Sequence, residues 1–369
     1  MSNLSVQHKS NGIELYKGIK RIPQNAYANN DDVKEIVIPD TVIEIENGAF
    51  KFCRNLETVI IPKSVKRIGD YAFVCCTELK YVELSEGLQE IGVGAFNSCK
   101  KLKDIKLPNS LSQIGREAFY FCSSLKSISI PKKLKTIESG LFDRCYELAE
   151  INFLGEIENV EDSNMEQFGK SIEFNTGTTA FWGTSWINNS KADYEILGRT
   201  LIKYRGKEKT VVIPDKVIKI GQCAFNKSDF ENIDIHDNVK KIGKGAFALC
   251  KNLKTLRFPK HITILDTGIC YGCENLSSIQ IPEVVTSIGD EAFWRCSSLS
   301  EVVIPSSVKV IGNWAFDQCN NLNKVYLSSN VEKIGEKAFD NCEKLIIVAP
   351  KDSYAIIFAK EHNIKFEET

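Results

Sequence analysis

Hydrophobic and polar positions along this chain recur with a period of about 23 residues. One copy runs Leu56, Val59, Ile61, Pro62, Val65, Ile68, Gly69, Ala72, Phe73, Cys76; another runs Leu276, Ile279, Ile281, Pro282, Val285, Ile288, Gly289, Ala292, Phe293, Cys296. The Val-x-Ile alternation predicts a short strand with both side chains facing inward. Proline follows at 62, 108, 131, 214, 259, 282 and 305 and ends that strand, because it offers no backbone donor. The Ile-Gly step predicts a second turn, on the ground that glycine tolerates positive φ. Ala-Phe then supplies a small residue for close approach and a large one to fill the interior. A fixed period of this size predicts an α/β solenoid, with a parallel sheet along one side and helical turns or short helices on the other.

Ten cysteines each stand three residues after the Ala-Phe landmark or its stand-in: 53, 76, 99, 122, 145, 250, 273, 296, 319 and 342. Cysteine packs as a small buried hydrophobe, and identical neighbouring environments do not direct pairing, so the expectation is a column of buried free thiols. Ala26-Tyr27 carries the frame one period earlier, with Asn30 in the cysteine place. Five stretches follow: an N-terminal capping coil over 1–32, a first array over 33–153, an insertion over 154–210, a second array over 211–350 and a C-terminal helical cap over 351–369. Within the insertion, Ala180-Phe181-Trp182 resembles the landmark, and Tyr194 to Tyr204 reads as a β-hairpin turning at Gly198-Arg199. Residues 154–178 hold no clear frame and read either as a bulging loop or as one degenerate coil. Ser353 to Asn363 predicts an amphipathic helix with Ser353 or Asp352 as N-cap, closing the end of the core.

Composition narrows the partners. Of 369 residues, 47 are basic and 48 acidic, for a formal net charge of −1. Such a balance argues against nucleic acid and anionic membrane as partners. No apolar run is long enough to span a bilayer, so no membrane insertion is expected. The start has no apolar signal core. Either the chain is cytoplasmic or a secretion signal has been removed ahead of Met1.

The Val-x-Ile-Pro, Ile-Gly and Ala-Phe-x-x-Cys elements closely resemble the BspA-like, treponema-type leucine-rich repeats of bacterial surface proteins and some parasitic protists. The Phe181-Trp-Gly-Thr-Ser-Trp186 interruption and the Ala349-Pro-Lys-Asp-Ser-Tyr-Ala355 ending look similar too. The resemblance implies a right-handed leucine-rich-repeat superhelix interrupted once. It also implies a non-enzymatic protein-binding role in adhesion or host/cell-surface interaction, at the cell surface or secreted. The alternative is an intracellular scaffold that binds a cytoplasmic protein. A monomer is expected.

Several spacings invite chemistry and are better read as repeat positions. Cys270-Tyr-Gly-Cys273 matches a redox or half-zinc spacing, but Cys273 is the repeat cysteine and Cys270 stands in the phenylalanine place. Cys75-Cys76 and Cys223 are likewise repeat cysteines or their neighbours. His236 and His261 fall near each other in successive coils, where Asp234 or Asp237 would complete a metal site; two solvated turn histidines are the plainer reading. Gly92-Val-Gly94 and Gly243-Lys-Gly245 lack the rest of a phosphate loop. Sequons at Asn3, Asn188, Asn226 and Asn275 fit chance. No catalytic residue, metal ligand or cofactor is therefore expected.

What remains is the outward side of the sheet, where residues flanking the strand valine form two ladders. One passes through Glu35, Thr58, Tyr81, Asp104, Ser127 and Glu150, then Thr255, Ser278, Glu301 and Lys324. The other passes through Val37, Ile60, Glu83, Lys106, Ser129 and Asn152, then Arg257, Gln280, Val303 and Tyr326. Neither is a run of one charge sign. The protein-binding candidates on these ladders are Tyr81, Glu83, Asp104, Lys106, Glu150, Asn152, Thr255, Arg257, Gln280, Glu301, Lys324 and Tyr326. Trp182 and Trp186 join them as aromatics of the type enriched at binding hot spots.

Overall fold

A computed structural model describes residues 7–9, 12–15, 18–162 and 180–369. These fall into two compact units, the first ending at Ser190 and the second running from Lys191 to Thr369. Each is a parallel β-solenoid of stacked coils. The expected strand forms in coil after coil, as in Thr58–Ile61 against Tyr81–Leu84 and Ser278–Gln280 against Thr255–Arg257. A second, narrower sheet forms at the Ile-Gly step, where Arg67–Ile68 pairs with Glu90–Ile91 and Ser287–Ile288 with Val310–Ile311.

The glycine of that step has a different reason to be there than the one expected. Gly69, Gly92 and Gly115 are absent from the residues with positive φ. A Cβ on Gly92 would instead sit 2.7 Å from the Asp70 backbone nitrogen, and one on Gly115 2.5 Å from that of Val93. The coils approach too closely there for any side chain. Positive φ occurs at two other places per coil. One is the residue before the landmark alanine, as Gly48 (63°), Tyr71 (55°) and Glu117 (58°). The other lies two after the phenylalanine, as Phe52 (59°), Cys75 (58°) and Phe121 (56°).

Those two places shape the third side, which is a run of tight turns rather than helices. Alternate N–H groups bond within the coil and to the next coil: Lys51 to Gly48 O at 3.0 Å, Phe50 to Ala72 O at 2.8 Å, Phe52 to Val74 O at 2.8 Å. Each left-handed non-glycine residue costs about 1 kcal/mol or more, offset by a ladder that leaves these buried amides bonded.

Two columns fill the interior. In the first unit the landmark rings stack from Tyr27 through Phe50, Phe73, Phe96, Phe119 and Phe142, with centroids 5.3–5.9 Å apart. Beside them run the cysteines. All ten repeat thiols donate to the carbonyl oxygen of the landmark residue in the preceding coil, at 3.0–3.3 Å. The same carbonyls accept the cysteine N–H of their own coil, as Phe50 O does from Cys53 N at 3.3 Å. Cysteine is thus more than a small hydrophobe here, because its weak S–H donor serves a buried acceptor that alanine would leave half-satisfied. All thirteen cysteines are free thiols.

Each unit is closed by non-repeat pieces. Gln7–Lys9 pairs antiparallel with Gly12–Glu14, which joins Glu35–Val37 in the sheet. That added edge strand was not legible in the sequence. Residues 154–162, expected to lack a frame, belong to a coil. Glu150–Phe153 pairs with Ser127–Ile130, Asn159–Val160 pairs with Thr136–Ile137, and Phe181 stacks on Phe142 at 6.2 Å. Phe142 and Phe181 are 39 residues apart instead of 23, and the extra length lies between Val160 and Ala180, mostly outside the described residues. The unit ends on the short helix Ser185–Asn189, whose N-cap Thr184 Oγ1 accepts from Ile187 N at 3.2 Å.

The second unit opens with the expected hairpin, Tyr194–Leu197 against Thr200–Tyr204, turning at Gly198-Arg199. Its second strand pairs parallel with Lys219–Ile220. Tyr204 takes the landmark place and its ring lies 5.2 Å from Phe225. At the other end the expected helix is Tyr354–Glu361 with Ser353 as N-cap residue, and Phe358 meets Phe339 at 6.4 Å. A strand not foreseen, Lys365–Glu368, then returns parallel to Ile346–Ala349.

Candidate binding surfaces

The first sheet of each unit carries the ladders, because the inward Val and Ile of every strand force their neighbours out. In the first unit Glu35, Thr58 and Tyr81 are in register, as are Val37, Ile60 and Glu83. Asp104, Ser127 and Glu150 align in the same way, and Ser129 faces Asn152. Lys106 is exposed. In the second unit Thr255 pairs with Ser278, Arg257 with Gln280, Glu301 with Lys324 and Val303 with Tyr326. Large apolar groups stand out of this face: Tyr81 is 50% exposed, Val212 60% and Val303 62%.

Local charge pairs tie down part of the surface. Tyr81 donates its hydroxyl to Glu83 Oε2 at 3.2 Å, and the carboxylate pushes the phenol up from its ordinary value. Lys324 Nζ lies 2.9 Å from Glu367 Oε2 on the unforeseen C-terminal strand, and the hydrogen bond raises the ammonium. Asp237 lies 3.7 Å from Arg257 and 3.6 Å from Lys260. A groove of about 470 Å³ opens beside this group, lined by Arg257, Phe258, His261, Gln280, Pro282 and Val284.

Sequence reasoning attended to the first sheet and missed the second. There Arg21, Glu44, Arg67 and Glu90 alternate in charge, with contacts of 3.4, 3.2 and 3.0 Å along the ladder. The 23-residue spacing of those four residues was the available signal. A groove of about 410 Å³ runs over Gly92 and Gly115 nearby, walled by Asp70, Glu90, Gln113 and Glu138. The bare glycines that let the coils approach also leave this space open.

The two tryptophans of the interruption are not on a sheet. The Trp186 ring packs 4.9 Å from Phe181 and 6.2 Å from Phe153, so it covers the end of the ring column, and its backbone N–H donates to Leu148 O at 2.7 Å. Trp182 lies on the turn side with the Arg144 guanidinium 5.3 Å from its ring.

The spacings that invited chemistry resolve into packing. Cys270 and Cys273 are both fully buried, and burial holds the Cys270 thiol well above its ordinary value, the opposite of a redox-active cysteine. His236 Nε2 lies 3.2 Å from Pro214 O and His261 is exposed. Among the described residues no three His, Cys, Asp or Glu side chains converge on a metal position. No helix among them is long and apolar enough to cross a membrane.

The model of the BspA-type leucine-rich repeat region matches residues 6–105, 66–192 and 196–323, and the chain belongs to that family. Among solved structures, a leucine-rich repeat protein from Eubacterium ventriosum is 24% identical with a TM-score of 0.51, over 84% of this chain and 83% of that one. One from Bacteroides ovatus is 28% identical with a TM-score of 0.49, over 99% and 90%. A leucine-rich cell surface protein from Faecalibacterium prausnitzii is 23% identical with a TM-score of 0.49, over 91% of each chain. No curated protein matches. A solenoid of this family is suited to binding other proteins.

Proposed function

We propose that the protein acts without catalysis, binding a partner protein through the outward face of its first sheets in adhesion or host/cell-surface interaction. The observation that supports this reading is the face itself. Exposed Tyr81, Val212 and Val303 stand among charged neighbours in fixed register, a mixture of apolar and polar groups that suits a protein interface better than a nucleic acid or a membrane. The candidates Tyr81, Glu83, Asp104, Lys106, Glu150 and Asn152 form one group. Thr255, Arg257, Gln280, Glu301, Lys324 and Tyr326 form the second. The adhesion part of this reading is supported by likeness to a leucine-rich cell surface protein.

The test is capture from host-matrix proteins and cell lysate by the full chain. Two face variants, Glu83→Lys with Lys106→Glu and Arg257→Glu with Tyr326→Ala, are run beside Asp340→Ala, an exposed turn-side residue, as a control away from the face. A partner held by the parent and the control, and lost from a face variant, supports the reading. Capture that survives both face variants overturns it.

A further inference from the structure

One cluster on the turn side of the first unit is explained neither by the sheets nor by the interior columns. Tyr120, Asp143 and Trp182 occupy the place after the landmark phenylalanine in three successive coils. The Arg144 guanidinium lies between two of those rings, 5.5 Å from Tyr120 and 5.3 Å from Trp182. Phe121 meets Tyr146 edge to face at 6.0 Å, and the Lys100 ammonium stands 4.8 Å from the Phe121 ring. Tyr146 is 47% exposed. Arg144 and Lys100 pair with no carboxylate among the described residues, whereas Arg54, Arg67, Lys80 and Lys101 in the same unit do. Arg144 Nε and Asp143 Oδ1 are buried with no hydrogen-bond partner.

The second unit supplies the comparison. Tyr271, Trp294 and Asp317 stand at the same repeat place, with Arg295 4.2 Å from the Trp294 ring. There the polar groups satisfy one another. Trp294 Nε1 donates to Asp317 Oδ2 at 2.7 Å, Asn341 Nδ2 donates to Asp317 Oδ1 at 2.8 Å, and Arg295 Nε donates to Gln318 Oε1 at 2.8 Å. The first unit keeps the rings and the arginine and lacks the closing acceptors. Asp143, next to Arg144 in sequence, is only a partial counter-ion: burial pushes its carboxyl up to about 7, against the pull of Arg144, with Glu117 adding to the rise.

We propose that this cluster docks an acidic segment of a partner polypeptide, a glutamate or aspartate flanked by an aromatic side chain. A ring on either side of the guanidinium restricts its planar fork before a carboxylate arrives. The exposed Tyr146 ring offers the flanking side chain a platform, and Lys100 adds a second positive charge. Tyr, Trp and Arg are the residue types that dominate binding hot spots. This surface is separate from the sheet face, and either can fail without the other.

The test titrates the full chain at low salt with acetyl-Phe-Glu-Phe-Glu-amide and its glutamine counterpart, reading the Trp182 indole N–H resonance. The glutamate peptide is expected to shift that resonance and to bind at least about tenfold more tightly than the glutamine peptide, as loss of a charge-assisted pair implies. Arg144→Gln and Arg144→Lys should each lose that preference, and Tyr81→Ala on the sheet should keep it. If Arg144→Gln fails to fold, Lys100→Gln and Tyr146→Ala carry the test, each expected to weaken the glutamate peptide. Equal binding of the two peptides, no shift at millimolar peptide, or unchanged affinity in these variants would overturn the proposal. So would a heparin-derived hexasaccharide that displaces the glutamate peptide and binds more tightly.

Discussion

Phe96→Ala removes one ring from the middle of the first unit's column. Phe96 is fully buried, its ring stacked 5.4 Å from Phe73 and 5.6 Å from Phe119 and nearly parallel to both. A buried Phe→Ala change costs about 3–5 kcal/mol, with the spread set by how far the site can collapse. Here collapse is blocked. Phe73 N–H bonds to Ala95 O and Phe96 N–H to Ala118 O, both at 2.8 Å, so the coil spacing on either side is pinned by backbone bonds. The loss should therefore fall in the upper half of that range, about 4–5 kcal/mol. The assay is urea unfolding followed by far-UV circular dichroism and by the fluorescence of Trp182 and Trp186. Phe52→Ala is the control, because Phe52 sits half-buried on the turn side, with Arg54 6.0 Å from its ring, outside the stacked column. It should cost under about 1 kcal/mol, as changes away from the core do. A Phe96→Ala shift worth under about 1 kcal/mol, or equal costs for the two variants, would refute the column as the source of stability.

Four further outcomes are expected. Thiol reagents should label Cys75, which is part-exposed, and leave the nine buried repeat thiols slow until denaturant is added, with the part-exposed repeat thiol Cys342 between them, since burial pushes Cys53 up to about 11 and Cys122 and Cys342 up to about 12; fast native labelling of most of the ten would contradict this. Gly92→Ala should cost about 2 kcal/mol or more, because its Cβ would meet the Asp70 backbone nitrogen at 2.7 Å, whereas a neutral melting temperature would show that the coils can part. Trp186→Ala should lower the melting temperature clearly and Trp182→Ala only slightly, since Trp186 covers Phe181 and Trp182 lies over Arg144; the reverse order would reassign them. The fourth concerns Asp143, whose folded pKa of about 7 lies above its ordinary 3.8. Its contribution is fully present below about pH 4 and is lost as pH rises through 7, by about 2–4 kcal/mol in all, so Asp143→Asn should be the more stable protein at pH 8 and show a flatter pH profile; parallel profiles would refute it.

How much of the protein was legible in sequence follows from what each residue has to contact. The period, the buried Val, Ile, Phe and Cys, the hairpin at Gly198-Arg199 and the C-terminal helix were all readable, because a coil that cannot bury its own apolar face must repeat the same pattern. The surfaces were harder to read. Solvent-facing ladder residues carry no packing constraint, so their identity does not announce a partner, and the Tyr120–Arg144–Trp182 stack joins residues from coils whose spacing the long interruption disguises.

Tertiary structure alone decided the contacts that run between coils. The partner of each repeat thiol lies 25 or 26 residues back, that of Phe50 N–H 22 residues on, and that of Gly69 in the backbone of the coil before it. Local pattern reading sees an Ile-Gly pair and infers a flexible turn. Only stacking shows that the glycine is small because another backbone passes 2.7 Å from where its Cβ would be. In the same way, the return of Lys365–Glu368 onto Ile346–Ala349 is set by an edge left open after the last coil, and nothing in four charged and aromatic residues reveals that edge until the coil exists.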